Sequence, residues 1–276
     1  MAKERFDGWV SQQVVVDGVR VHVRRTEVHG DGVPIVHVHG FGISGRYLMP
    51  TAQLLASRGP QYVPDLPGYG RSGDPAKPLS IPELADALIG TVDRLGLERA
   101  VLLGNSMGCP ISLQAVMSAP DRFERVILVA PAGGIQNQPF RRGAGQLAID
   151  GVRERPAMAK VAVPDYLRFG PLNAIKLFQQ LVAFPSLETL LACPIPLLAV
   201  LGDRDPLMPK RGRVEEVATQ IADHSTVVVI EGAAHALNFS HPGELAHVVG
   251  QWLDGVDITD DPDQPGLAKV LPIPRG

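Results

Sequence analysis

Hydrophobic and polar residues alternate over positions 11–16 and 19–25, and the two alternating stretches flank Asp17-Gly18. A period of two is the mark of a half-buried strand, and an Asp-Gly pair between two such runs predicts a β-hairpin. After residue 30 the pattern changes. Short continuous apolar runs appear at 34–39, 100–103, 125–129, 196–201 and 226–230, with helix-spaced segments at 46–57, 81–95, 111–119, 212–221 and 242–253. Strands that are apolar on both faces and alternate with helices predict an α/β fold: a mainly parallel central sheet with helices on both faces.

Between positions 133 and 191 the strand rhythm disappears. Prolines at 139, 156, 164, 171 and 185 separate short amphipathic pieces. That predicts a helical cap inserted at 133–191 into a core made of 1–132 and 192–254. Leu147, Met158, Phe169, Ile175, Phe178, Leu181 and Phe184 give the cap apolar surface, most of it for packing and part of it for lining a pocket. The segment 255–276 is acidic and proline-rich, with Asp257, Asp260, Asp261, Asp263, Pro262 and Pro265. It has too little apolar surface for a core of its own and is expected to be a mobile or surface-laid tail.

Composition narrows the class. The chain has 276 residues, 45% hydrophobic and 20% charged, with a formal net charge of −3. This is enough for one substantial core with an insertion. The balance is slightly acidic and holds no basic run, which argues against nucleic-acid binding. No run approaches the ~20 apolar residues of a membrane span, and residues 1–7 lack an apolar leader core, so no membrane association is expected and cytoplasmic residence is the default. Cys109 and Cys193 are expected to be buried thiols rather than a disulfide. No metal-ligand spacing is present, so neither metal nor cofactor is expected, and a homo-oligomer is compatible with the composition.

The chemistry is concentrated at strand ends. Gly104-Asn105-Ser106-Met107-Gly108 follows the apolar run 100–103 and precedes a helical stretch. A serine at such a sharp turn is held in a strained conformation that exposes its hydroxyl, and the flanking glycines let helix and strand approach. A hydroxyl becomes a useful nucleophile only with an imidazole to take its proton and a carboxylate to orient the ring. His235 lies in a loop of small residues after the strand 226–230, and Asp203 and Asp205 both follow the strand 196–201. Pro206 fixes the chain just past Asp205. Two main-chain N–H groups must also stabilise the oxyanion: Met107, next to the serine, and Phe41, in the His39-Gly40-Phe41-Gly42 loop after the strand 34–39. Gly40 and Gly42 permit the torsions this needs, and His39 reads as a structural member of the loop.

That loop also matches a dinucleotide fingerprint, since Gly40, Gly42 and Gly45 stand in G-x-G-x-x-G spacing, with Asp65 after the next strand. An NAD(P)-binding oxidoreductase is therefore a rival. It leaves Ser106, Asp205 and His235 as unrelated coincidences, and fingerprint strands normally open the fold, whereas here a hairpin comes first. A non-catalytic small-molecule receptor on the same scaffold is a second rival, because fold does not fix chemistry.

Together with the segment from Asp65 to Ser72, these motifs resemble the α/β-hydrolase superfamily over about residues 11 to 254. The resemblance implies the nucleophile, acid, histidine order, and its Gly202-x-x-Asp205 spacing favours Asp205 over Asp203. It implies a structural role for Asp65. A serine nucleophile implies an acyl-enzyme route on a small apolar carbonyl substrate, as in carboxylesterases. The Gly-Asn-Ser-Met-Gly pentapeptide is also similar to that of meta-cleavage C–C bond hydrolases. Those enzymes usually carry a tryptophan after the histidine, where this chain has Ala236, and a cap arginine for the substrate carboxylate, here open among Arg141, Arg142, Arg153, Arg155 and Arg168. The ester reading is preferred.

Overall fold

The computed structural model describes residues 6–154, 156–221, 224–259 and 270–272. Strands β1 (Trp9–Val16) and β2 (Val19–Thr26) form the predicted hairpin, paired antiparallel in register from Trp9 with Thr26 to Val16 with Val19. Its two-residue turn has positive φ at both positions, 46° at Asp17 and 78° at Gly18, the twist that matches right-handed strands. Strand β3 (Ile35–Val38) follows, then α1 (Met49–Leu55), entered through a 3-10 turn at Gly45–Leu48. The helical spacing from 46 onward is thus divided in two, because Pro50 suits the first turn of a new helix better than the interior of a longer one.

After β4 (Gln61–Asp65) comes α2 (Ile81–Arg94), which starts with a reciprocal capping box between Ser80 and Glu83. Next are β5 (Ala100–Asn105), α3 (Gly108–Ser118) and β6 (Phe123–Val129). α3 begins at Gly108, three residues before its apolar spacing becomes readable, because Pro110 is tolerated in a first turn. Four helices then intervene: α4 (Phe140–Arg153), α5 (Pro156–Phe169), α6 (Pro171–Ala183) and α7 (Ser186–Leu191). Prolines 139 and 185 precede α4 and α7, and prolines 156 and 171 open α5 and α6; only Pro164 sits inside a helix.

The chain returns through β7 (Leu197–Gly202), α8 (Arg211–Ala218), β8 (Ser225–Ile230), the short α9 (Leu237–Ser240) and α10 (Pro242–Asp254). A last strand, β9 (Val270–Pro272), pairs antiparallel with β8 along its outer edge. Of the acidic tail, residues 260–269 and 273–276 lie outside the described residues.

The described strands form one sheet in the order β1-β2-β4-β3-β5-β6-β7-β8-β9. Neighbours from β4 through β8 are parallel. Side chains divide by alternation. Leu102, Leu197 and Ala199 face a core shared with α2, α3 and α8, whereas Val101, Leu103, Leu198 and Val200 face α1 and α10. Helices thus cover both faces, and the parallel strands send all their C-terminal ends to one rim, where ligands of such sheets bind.

Candidate active site

Ser106 follows β5 directly and has φ of +55°, a left-handed conformation costly for a residue with a Cβ. Its N–H is anchored on the Val129 carbonyl at 3.0 Å. The glycines beside it are a steric necessity. A Cβ at Gly104 would lie 2.4 Å from the Gly108 carbonyl oxygen, and a Cβ at Gly108 would lie 2.1 Å from that of Val38. Helix α3 can therefore start hard against β3 and β5 only with hydrogen at both positions.

β7 and β8 are adjacent, so the loops after them meet. Asp205 and His235 come together there: His235 Nδ1 donates to Asp205 Oδ2 at 2.6 Å, and the other Asp205 oxygen accepts the Leu207 N–H at 2.8 Å. Asp203, the second carboxylate of the loop, accepts the Gly232 N–H instead. His235 Nε2 is buried and has no hydrogen-bond partner among the described residues. Ser106 and His235 line one cavity of about 570 Å³, without a hydrogen bond between their side chains. Burial disfavours the charged ring, but the Asp205 carboxylate outweighs it, with help from Asp150 and Glu154, and His235 is lifted to about 9.

The loop after β3 closes the other side. Gly40 passes so near the serine that a Cβ there would lie 3.1 Å from Ser106 Cβ. Its N–H donates to the Tyr47 hydroxyl at 2.9 Å, Tyr47 donates to Asn105 Oδ1 at 2.6 Å, and Asn105 Nδ2 reaches the His235 carbonyl at 3.3 Å. One polar chain thus ties together three of the four loops that carry the candidate groups. Gly42 has φ of +70° and leaves no room for a side chain against Tyr166. Phe41 is buried at the cavity wall, edge-on to Phe178 and Phe169. Met107 is buried at the start of α3, where first-turn N–H groups have no partner within the helix. His39 accepts from Leu66 N–H through Nε2, which leaves its Nδ1 to donate to the Gly40 carbonyl; both ring nitrogens are occupied. Burial lowers its pKa.

The inserted helices contribute groups that no motif announces. On α4, Asp150 accepts the His235 N–H at 3.4 Å; just past the end of that helix, Glu154 accepts the Ala236 N–H at 2.6 Å. On α5, Asp165 accepts both the N–H and the hydroxyl of Ser44, at 2.8 and 2.6 Å. Nothing in the chain tells Asp150, or Glu154 at the end of the same helix, from a solvated charge. Among the arginines of this segment, Arg141 and Arg142 are exposed, Arg153 donates to the Arg204 carbonyl and Arg168 to that of Ser72. Arg155 lies outside the described residues. Leu147, Met158, Ile175 and Phe178 line the cavity, and among the described residues no lysine or arginine does.

Asp65 is fully buried and engaged by Arg24, the Gly45 N–H and the Arg71 N–H, so its carboxylate is committed to the fold rather than to a ribose. Cys109 and Cys193 are free and buried. Among the described residues no group of three or more His, Cys, Asp or Glu is placed to hold a metal ion, and no helix is long and apolar enough to cross a membrane.

Comparison with known proteins agrees with this architecture. The chain is 27% identical over 253 residues to a pimeloyl-[acyl-carrier protein] methyl ester esterase of Edwardsiella ictaluri, covering 81% of this chain and 94% of that one. Its fold is that of a thermophilic esterase from Thermogutta terrifontis, with a TM-score of 0.72 and 24% identity over 91% of this chain and 99% of that one. It is equally that of an enol-lactonase from Burkholderia xenovorans LB400, with a TM-score of 0.72 and 22% identity over 88% and 100%. The model of the alpha/beta hydrolase family matches residues 35–248, from the first parallel strand into the last helix. The chain belongs to the alpha/beta hydrolase family and is a hydrolase.

Proposed function

We propose that this hydrolase is a serine esterase for small apolar esters, with Ser106 as nucleophile, His235 as its base, Asp205 as the carboxylate on the ring, and α4–α7 as a cap over the site. The observation that carries the reading is the shared cavity. A serine held at positive φ and a histidine whose Nδ1 is on a buried carboxylate, and whose Nε2 is unpartnered, face the same apolar space.

In this mechanism Ser106 Oγ attacks the ester carbonyl carbon while its proton passes to His235 Nε2. The carbonyl electrons move onto oxygen, which takes hydrogen bonds from the Phe41 and Met107 N–H groups, each worth on the order of 10² to 10³ in rate. Collapse breaks the bond to the alcohol oxygen, and the imidazolium returns the proton to the departing alcohol. Water then attacks the acyl-enzyme, gives its proton to His235 and releases the acid and free Ser106. No cofactor enters any step. Apart from His235, the base itself, the cavity wall bears Asp150 and Glu154 and no described lysine or arginine, which weighs against the carboxylated dienones of C–C bond hydrolases and for a neutral ester. The methyl ester named for the Edwardsiella relative is of that neutral kind.

The test is Ser106→Ala against wild type, with p-nitrophenyl butyrate, a lactone and a meta-cleavage dienone, and with labelling by a fluorophosphonate. Loss of labelling and ester turnover with a nearly unchanged melting temperature is expected. Unimpaired ester turnover by the variant removes the nucleophile, and turnover of the dienone far above that of the ester overturns the substrate class.

A further inference from the structure

The candidate base is flanked by two carboxylates from different parts of the chain. Asp205, from the loop after β7, holds the imidazole Nδ1. Asp150, 85 residues before His235 and on α4, takes the main-chain N–H of the same residue, is buried, and lines the cavity beside Ser106. Asp150 lies on a helix that is attached to the core through such contacts. Glu154, just past the end of α4, holds the neighbouring N–H of Ala236, and Asp165 on α5 holds Ser44 of the loop after β3.

We propose that Asp150 is a positioning residue: the seated cap brings a second carboxylate to the histidine loop, which fixes His235 and stabilises its imidazolium during proton transfer. The inference rests on the esterase reading above. It assigns the inserted helices a part in the chemistry as well as in shaping the pocket, since a cap lifted away would take the carboxylate with it and leave a weaker base. A buried carboxylate bonded to the main chain of the residue that carries a charged ring acts on that ring far more strongly than one on the surface. Burial, the first cause, keeps Asp150 itself harder to ionise than usual, at about 6 despite the opposing pull of His235, so it carries charge in the range where the ring titrates. The titratable groups around the pair are Asp205 from the β7 loop, Glu154 from the C-terminal cap of α4 and Tyr166 from α5, the last with its hydroxyl pushed up to about 12 by burial and by Asp150.

Two variants separate charge from shape. Asp150→Asn keeps a side-chain oxygen for the His235 N–H and removes the charge; Asp150→Ala removes both. The first readout needs no turnover: NMR titration of the His235 ring in the Ser106→Ala background, assigned among the 8 histidines by loss of its signal in His235→Gln. The ring is expected to titrate about half a pH unit or more lower in Asp150→Asn. The second readout is the pH profile of kcat/KM for p-nitrophenyl butyrate with Ser106 intact. Its acid limb is expected to move down by the same amount while the plateau kcat falls about threefold, as a weaker base implies, with KM nearly constant. Asp150→Ala is expected to lower kcat further. An unmoved His235 titration in Asp150→Asn, or activity lost equally at every pH, overturns the proposal. Absence of ester turnover by the wild type would instead refute the esterase reading and leave the NMR result standing.

Discussion

Raising the pH from 6.5 to 9 is expected to weaken this fold while it activates the site. In the folded chain the Asp205 carboxylate lifts His235 from 6.5 to about 9 against the opposing effect of burial. A group whose pKa is raised on folding contributes stability that is complete below its unfolded value and is lost as pH rises through its folded value. The two values differ by enough to make this contribution about 3 kcal/mol, a large share of a typical total of about 5–15 kcal/mol. In the proposed mechanism, however, proton abstraction from Ser106 needs the ring neutral, so kcat/KM for an ester should climb toward pH 9 over the range in which stability declines. Urea unfolding followed by tryptophan fluorescence at intervals from pH 6.5 to 9 measures the decline, with Asp205→Asn as reference. That variant lacks the carboxylate, so its stability should start lower and change much less with pH. Burial also raises Cys109 and Cys193, whose unfolded thiols ionise near the top of this window, but they act alike in both proteins and cancel in the difference. Parallel stability curves for wild type and Asp205→Asn, within about 0.5 kcal/mol throughout, would refute the reasoning.

Gly108→Ala places a Cβ 2.1 Å from the Val38 carbonyl oxygen, and neither strand nor helix can yield without parting. The cost should be about 3 kcal/mol, lowering the melting temperature by about 6 °C or more. Gly145→Ala on α4 meets nothing within 4 Å and is the control, expected to be neutral or stabilising by up to about 1 kcal/mol in the same calorimetry. A Gly108→Ala melting temperature matching the control would show that the approach of α3 to β3 is not tight. Tyr47→Phe strips the acceptor from the Gly40 N–H and the donor from Asn105 Oδ1. We expect about 2 kcal/mol of destabilisation and a fall in kcat larger than any rise in KM, to be checked by steady-state kinetics beside denaturant titration; unchanged kcat would detach this network from the site.

The chain announces its sheet because strands buried on both faces must be apolar throughout, and 100–103, 125–129, 196–201 and 226–230 have no other use for such runs. It announces Ser106 because the close approach of α3 to β5 demands glycine at 104 and 108. The helix starts were less legible: the 3-10 turn before Met49 and the early start of α3 depend on where Pro50 and Pro110 can be accommodated. The contributions of Tyr47, Asp150, Glu154 and Asp165 were not legible at all. The three carboxylates act through main-chain groups of a distant loop and Tyr47 through the Asn105 side chain, and a carboxylate that caps an N–H across 85 residues looks in sequence like any charge on a helix. Between Asp203 and Asp205 the Gly202-x-x-Asp205 spacing favours the latter, and it is Asp205 whose oxygen reaches the ring, while Asp203 takes the Gly232 N–H.

The polar chain from Gly40 through Tyr47 and Asn105 to His235 joins positions up to 130 residues apart in sequence. No early fragment of the polypeptide holds these partners, so during refolding the return of helical circular dichroism should run ahead of the return of enzymatic competence. Closing so wide a loop comes late for simple reasons of chain entropy. In a protein of this design the candidate site is therefore not joined up until the strand before His235 has taken its place in the sheet.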